Sequence, residues 1–308
     1  MTAPFREAQE RRCSPVPLIS VIIPTRALAT RSGMLRRAIA SVLSQEGVTA
    51  TPIVVINGSE WDKALTAGLR ADPRIRSVML AEADLPGAIR AGRDMVDTPY
   101  FTELDDDDLL LPGALSLRVR VLTLHDGCDV VVTNGILRGA DGDRLHIRDA
   151  ASIHRDPLRA FLGRNWLLPG SWLGRTDRVG ADVFDGMPRF RECTYLAVRF
   201  ATAYRMTFVE TPTVVYNLQT PRSESKSRDY VLGSLAATRR ILELELPADV
   251  RASFRKRLAP SCLTIAGLYR RERRMPLACL WYLRSCCQPG GPVPMAQRLW
   301  QWLRGAGS

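Results

Sequence analysis

Four consecutive carboxylates, Asp105 to Asp108, stand in the segment LDDDDLLLPG (104–113). They follow YFTEL (100–104), which reads as a buried strand. They therefore fall where open α/β sheets place ligands, at the carboxyl end of a parallel strand. Side chains alternate along an extended chain, so Asp105 and Asp107 can point the same way. Like charges this close repel unless a cation neutralises them. Oxygen-only donors favour Mg²⁺ or Mn²⁺, either of which can bridge to a diphosphate. The competing reading is a solvated acidic turn, or a helix start whose dipole favours aspartates. A further acid, Glu192, precedes Cys193 in FDGMPRFRECTYLAVRF (184–200). A thiol near its usual pKa of about 8.5 is a poor base for a hydroxyl. Cys193 therefore reads as a small buried residue opening a helix.

Other chemistries lack their signatures. There is no G-x-G-x-x-G after the first strand, no G-x-x-x-x-G-K-[ST] and no G-x-S-x-G. His125, His146 and His154 have no metal-ligand spacing. The seven cysteines show no C-x-x-C pair, which favours reduced thiols over a zinc site or a disulfide framework. With 308 residues, 46% hydrophobic and 24% charged, the chain has the balance of a folded soluble protein rather than a disordered or collagenous one. No run of about 18 apolar residues predicts a membrane span. The first residues, MTAPFREAQERRC, carry no apolar stretch of the kind a secretory signal needs, so a cytoplasmic location is expected.

The elements that must position these residues follow from periodicity. LISVIIP (18–24) and PIVVING (52–58) read as strands buried on both faces. Segments 75–80 and 129–137 also read as strands. Helical spacing appears at 33–45, 60–70, 86–96, 112–124 and 193–204. Alternation of strand and helix predicts a mostly parallel sheet flanked by helices. Residues 138–190 are rich in turns and carry no clear pattern. MTFVE (206–210) and TVVYN (213–217) read as two short strands around Pro212, and the pattern is helical from Asp229 onward.

Four segments, in order, resemble the family 2 glycosyltransferases, whose fold is the GT-A nucleotide-sugar-binding fold. SVIIPT (20–25) with RRAIASVLSQ (36–45) is similar to the opening strand and helix, and IVVINGS (53–59) to the second strand. YFTELDDDDLLLPGAL (100–115) resembles the D-x-D segment. Residues 184–200, followed by ETPTVVYN (210–217), resemble the catalytic segment and the next strand. The resemblance implies residues 18–220 as the GT-A domain, with 18–110 the nucleotide-sugar half and 111–220 the acceptor half. A loose lead (1–17) would precede it and a basic helical extension (221–308) would follow. It implies that Pro24 and Thr25 line the base with Asn57 beside it. Asp106 would approach ribose and diphosphate. Asp105 and Asp107 would form the D-x-D pair, with Asp107 the leading ligand for Mg²⁺ or Mn²⁺. The implied reaction is inverting transfer from a nucleotide-sugar, a UDP-sugar first, to an acceptor hydroxyl, with Glu192 as the base.

The chain departs from that pattern at four places. Ile56-Asn57 replaces an acidic pair, Ile89 replaces an arginine for which Arg90 or Arg93 could substitute, Cys193 replaces the second acid of the catalytic pair, and Gln219 replaces a histidine. A catalytically impaired nucleotide-sugar-binding protein is therefore a rival reading. A nucleotidylyltransferase ranks lower, because PTRALATRSG (24–33) has a single glycine. Trp166 and Trp172 read either as sugar-stacking aromatics or as core, Arg199 as a diphosphate contact or a structural ion pair, and Arg222 with Lys226 as a lid or a linker.

The charge is uneven. From Arg251 onward there are 11 Lys and Arg against one acid, Glu272, whereas the first 250 residues hold 32 basic and 31 acidic groups. The pieces FRKRL (254–258), YRRERR (269–274) and MAQRLWQWLRG (295–305) suit a solvated helical bundle, contact with an anionic membrane surface or lipid-linked acceptor, or, less well, nucleic acid. The acceptor itself, whether lipid-linked glycan, polysaccharide or small molecule, is open at this level.

Overall fold

The computed structural model describes residues 16–220 and 227–289. The first apolar run forms β1 (Leu18–Thr25). There follow α1 (Ser32–Leu43), β2 (Thr49–Asn57), α2 (Lys63–Ala71), β3 (Arg76–Leu80), α3 (Leu85–Asp94) and β4 (Tyr100–Glu103). These are the elements that periodicity predicts, displaced by a few residues at their ends. Asp62 and Asp84 cap α2 and α3 by accepting the N–H of Leu65 and Gly87. The four strands run parallel in the order β3-β2-β1-β4. The chain steps to one side of β1 for β2 and β3 and to the other for β4. The strand order thus reverses between β1 and β4, which opens a crevice at their carboxyl ends.

The second half is mixed. It contains β5 (Leu109–Leu110), α4 (Ala114–Leu124), β6 (Val130–Gly139), β7 (Gly142–Leu145), α5 (Ala151–Arg155), α6 (Pro157–Gly163), β8 (Trp172–Arg175), α7 (Glu192–Ala203) and β9 (Met206–Asn217). β8 lies antiparallel between β4 and β6 and joins the two halves into one nine-stranded sheet. The two short strands expected around Pro212 are a single strand, β9, parallel to β6. Pro212 stands opposite Asn134, where the register shifts, so its missing N–H falls at the irregularity and not inside a regular ladder.

Alternation along the strands divides the core between the two faces. Ile19, Val21 and Ile23 of β1 join Leu35, Ile39 and Val42 of α1 and Leu115 and Leu122 of α4 on one face. Ile22 of β1, with Ile53 and Val55 of β2, joins Ala88 and Ile89 of α3 and Leu196 and Phe200 of α7 on the other. Trp166 and Trp172 are fully buried, so both belong to the core. Helix α4 also sends Arg118 wholly into the interior. Its guanidinium donates to the carbonyls of Trp172 (3.0 Å) and Gly170 (2.5 Å) and to Thr213 Oγ1 (2.5 Å). Burial lowers its pKa to about 9. These bonds pin the start of β8 to β9.

Four helices complete the described chain: α8 (Arg228–Leu242), α9 (Ala248–Lys256), α10 (Leu258–Arg271) and α11 (Met275–Cys286). The first two are part of the main core. Ile241, Val250 and Phe254 share the α7 face of the sheet, Phe254 stacks on Phe161 at 6.1 Å, and Arg159 bonds Asp249 at 2.8 Å. The last two close a small cluster of their own with α8, around Leu258, Cys262 and Ile265. Among the described residues no helix is long and apolar enough to cross a membrane. Arg222, Lys226 and the tail piece 295–305 lie outside the described residues.

Arg118→Ala would leave two buried carbonyls without their donor and a void beside β8. It is expected to lower unfolding stability by about 3 kcal/mol or more, read from urea denaturation.

Candidate active site

A cavity of about 720 Å³ opens at the carboxyl ends of β1, β2 and β4. Pro24 and Thr25 reach its wall from β1, and Asn57 from β2. Asp105, Asp106 and Asp107 reach it from the turn after β4, and Glu192 and Cys193 from the first turn of α7. All of the residues proposed for base, diphosphate, metal and proton transfer thus face one space, although they come from points 168 positions apart in the chain.

The acidic turn is held from several sides. Thr25 donates its hydroxyl to Asp106 Oδ2 at 2.6 Å, across the crevice between β1 and β4. Arg31, at the start of α1, donates to Asp106 Oδ1 and stands 3.4 Å from Asp107 Oδ2. The N–H of Asn217, at the end of β9, donates to Asp108 Oδ1 at 2.8 Å. Asn57 donates its amide to the carbonyl of Thr25 at 3.1 Å, which fixes the end of β1 beside it. The carboxylate of Asp105 makes no hydrogen bond or ion pair among the described residues, and Asp108 Oδ2 and Glu103 Oε2 are buried without a hydrogen-bond partner there.

This crowding shifts the acids upward. Burial, then the neighbouring carboxylates, pushes Asp105 and Asp108 well above the usual range. Asp106 is raised by burial against the opposing pull of Arg31 and Thr25. For Arg31 the balance runs the other way: burial disfavours its charge, but Asp106 and Asp107 outweigh that and raise its pKa. Glu103, beneath the turn, is pushed up to about 7 by burial, opposed by the Trp172 indole (3.3 Å) and reinforced by Glu192.

Two residues ahead of α7, Phe190 and Arg191, adopt left-handed backbone with φ of 71° and 64°. Such a conformation costs non-glycine residues about 1–3 kcal/mol each. It turns the chain so that Glu192 Oε1 accepts the N–H of Phe190 at 2.7 Å at the cavity wall. Burial, then the charges of Glu103 and Asp105, pushes the Cys193 thiol well up, which favours its protonated form.

Several expected substitutes lie elsewhere. Arg93 is buried over the Phe101 ring, 4.5 Å from its centroid, and bonds the carbonyls of Thr176 and Val179. Arg90 pairs with Asp94 and Asp185. Neither lines the cavity, and nor does the exposed Gln219. Arg199 pairs with Asp182 at 3.2 Å as a structural contact. The cationic side chain at the acidic turn is Arg31, which sequence reading missed because it sits in a loop without periodicity. Tyr216, Asn217 and Tyr230 also line the cavity, the last from α8.

The strand order, the crevice and the acid-lined cavity define an α/β protein of the GT-A fold. The glycosyl transferase family 2 profile matches residues 20–177, and the chain belongs to that family. It is 35% identical over 138 residues to the succinoglycan biosynthesis protein ExoO of Rhizobium meliloti (strain 1021). That match covers 42% of this chain and 38% of the relative, so it spans well under half of that protein's length. Among solved structures, S. aureus TarS 1–349 in complex with UDP-GlcNAc superposes with a TM-score of 0.54 at 15% identity, covering 80% of this chain and 72% of that one. The longer S. aureus TarS structure gives a TM-score of 0.53 at 15% identity, covering 80% and 43%.

The raised acids set a pH dependence. A carboxyl with a higher pKa in the folded than in the unfolded chain holds more protons when folded. Its stabilisation is complete below the unfolded value, 4.5 for Glu103, and is lost as pH rises through about 7. Chelator-treated protein is expected to melt at progressively lower temperature from about pH 5 to pH 8. Glu103→Gln should remove a part of that loss worth roughly 3 kcal/mol, and an unchanged slope in the variant would contradict it.

Proposed function

We propose that the protein transfers a sugar from a nucleotide-sugar, with UDP-sugars the first candidates, to an acceptor hydroxyl with inversion. The observation that carries this reading is the meeting of the acidic turn and Glu192 in one cavity. The donor set fits a hard divalent cation: Asp105 and Asp107 offer only oxygens, and Asp105 faces mainly other acids. Among the described residues no group of three or more His, Cys, Asp or Glu is arranged to hold a metal ion alone. Mg²⁺ or Mn²⁺ would therefore need oxygen ligands from outside the protein beside one or two carboxylates. Bound there, the ion would supply Lewis-acid stabilisation to the leaving diphosphate.

The chain's own residues divide the remaining work. Pro24, Thr25 and Asn57 form the wall against which the base would rest. Asp106 is already committed to Thr25 and Arg31, so it orients that wall and serves ribose or diphosphate more readily than metal. Glu192 is the only carboxylate of the α7 turn on the cavity. It would take the acceptor hydroxyl's proton as that oxygen attacks the anomeric carbon from the face opposite the diphosphate. Cys193 in place of a second acid favours a second reading, a binding protein with little turnover. Donor binding without sugar transfer in the unaltered protein would establish that reading.

The exposed apolar residues Met275, Leu280 and Leu283 of α11, beside the exposed Arg271, Arg273 and Arg274, support peripheral contact with an anionic membrane surface. That contact would place the protein at the inner face of the cell membrane, near a lipid-linked acceptor.

Calorimetric titration with UDP-, GDP- and TDP-sugars, with and without Mn²⁺, tests the donor reading. One donor is expected to bind in a metal-dependent way, and Asp107→Asn should weaken that binding by about tenfold or more. Glu192→Gln should lower turnover by roughly 10²–10⁴-fold while leaving donor affinity nearly unchanged. In sedimentation with vesicles, the protein should favour phosphatidylglycerol-containing over neutral bilayers, and Leu280→Glu with Leu283→Glu should abolish the difference.

A further inference from the structure

The cavity carries positive charge for which the proposed donor chemistry has no use. Arg189 and Arg191 both line it, on the segment that leads into Glu192. Both are exposed, and neither side chain makes an ion pair or hydrogen bond among the described residues. The other two arginines on the wall are already neutralised, Arg26 by Glu60 and Arg31 by Asp106 and Asp107.

What holds the pair in place is aromatic. The Arg189 guanidinium lies over the Phe190 ring at 5.3 Å, and that of Arg191 over the Tyr230 ring at 5.1 Å. The two rings meet edge to face at 5.8 Å, which locks the lead-in segment against α8. A guanidinium stacked on a ring keeps its N–H edge free, and that edge matches a carboxylate or phosphate. Exposed guanidinium groups that pair with no carboxylate among the described residues attract an anion to the cavity wall.

The acidic turn already has its cation in Arg31, whereas Arg189 and Arg191 lie on the segment that leads into Glu192. The arginines instead flank the carboxylate that would deprotonate the acceptor. Resting on the glycosyltransferase reading, we propose that Arg189 and Arg191, framed by Phe190 and Tyr230, form an acceptor subsite for an anionic group. The group is a phosphate or carboxylate carried close to the hydroxyl that receives the sugar.

The test uses the full chain and three probes: methyl β-glucoside, methyl β-glucuronide and glucose 6-phosphate. Their binding is measured by ligand-observed NMR with UDP and Mn²⁺ present. At least one anionic probe is expected to bind tenfold or more tightly than the neutral glucoside, and the tighter of the two identifies the anion as carboxylate or phosphate. Arg189→Gln with Arg191→Gln should erase the preference, and Arg74→Gln, an exposed arginine remote from the cavity, should not. UDP affinity should be the same in all three proteins. Equal binding of charged and neutral probes, or a preference that survives in the double variant, would overturn the proposal. A fall in UDP affinity in the double variant would overturn it as well and assign the arginines to the donor. If UDP fails to bind the unaltered protein while the anion preference persists, the anion site stands and the transferase reading falls.

Discussion

The structure depends on keeping five carboxyl groups, Glu103 and Asp105 to Asp108, together at the end of one strand. At contact distances like charges repel by several kcal/mol in a partly buried setting. The cost is limited in three ways. Burial keeps several of the acids protonated more readily than in water. Arg31 places a fixed positive charge against Asp106 and Asp107. Thr25 and the N–H of Asn217 supply neutral donors. The ends of β1, β9 and the first turns of α1 are thus located by the same acids that they stabilise. On the cavity side the carboxyl of Asp105 is left without a hydrogen bond or ion pair among the described residues.

The rest of the architecture serves to bring Glu192 to the same cavity as this turn. β8 runs antiparallel between β4 and β6, so it ties the parallel half to the mixed half. Arg118 anchors β8 from beneath, and Trp172 on β8 touches Glu103. α7 packs Leu196 and Phe200 into the core and presents Glu192 at its first turn. The left-handed pair Phe190 and Arg191 makes the final adjustment. Strain of this kind persists only where packing over-determines it, and here the contact of Phe190 with Tyr230 of α8 supplies that packing. The C-terminal helices are therefore more than an appendage: α8 contributes to the cavity wall, and α9 to the main core.

Charge in the cavity is sorted. Carboxylates gather at the end of β4 and free guanidinium groups at the entry to α7, with Glu192 directly after the latter. A cavity polarised in this way favours positive charge at one end and negative charge at the other. Leu167, Leu168 and Pro169 make another part of the wall apolar.

By itself the sequence determined the parallel half of the fold and the composition of the acidic turn. Strands buried on both faces read as continuous β-branched runs, and their helices carry a clear 3.6-residue period, so local pattern and tertiary role coincide. It also carried the family resemblance, because the motifs are short, ordered and local. Tertiary structure alone decided the rest. β8 has four residues and two of them, Gly174 and Arg175, carry no strand signal, so its place between β4 and β6 comes from its neighbours. Pro212 reads as a break but sits inside one long strand, because a register shift absorbs it. Arg31, Tyr216 and Tyr230 join the site from the start of α1, from β9 and from α8, elements distant in the chain. Arg90 and Arg93, which looked available to it, are consumed by structural contacts. Which cation meets which anion is a matter of three-dimensional proximity, and no periodicity in a chain encodes it.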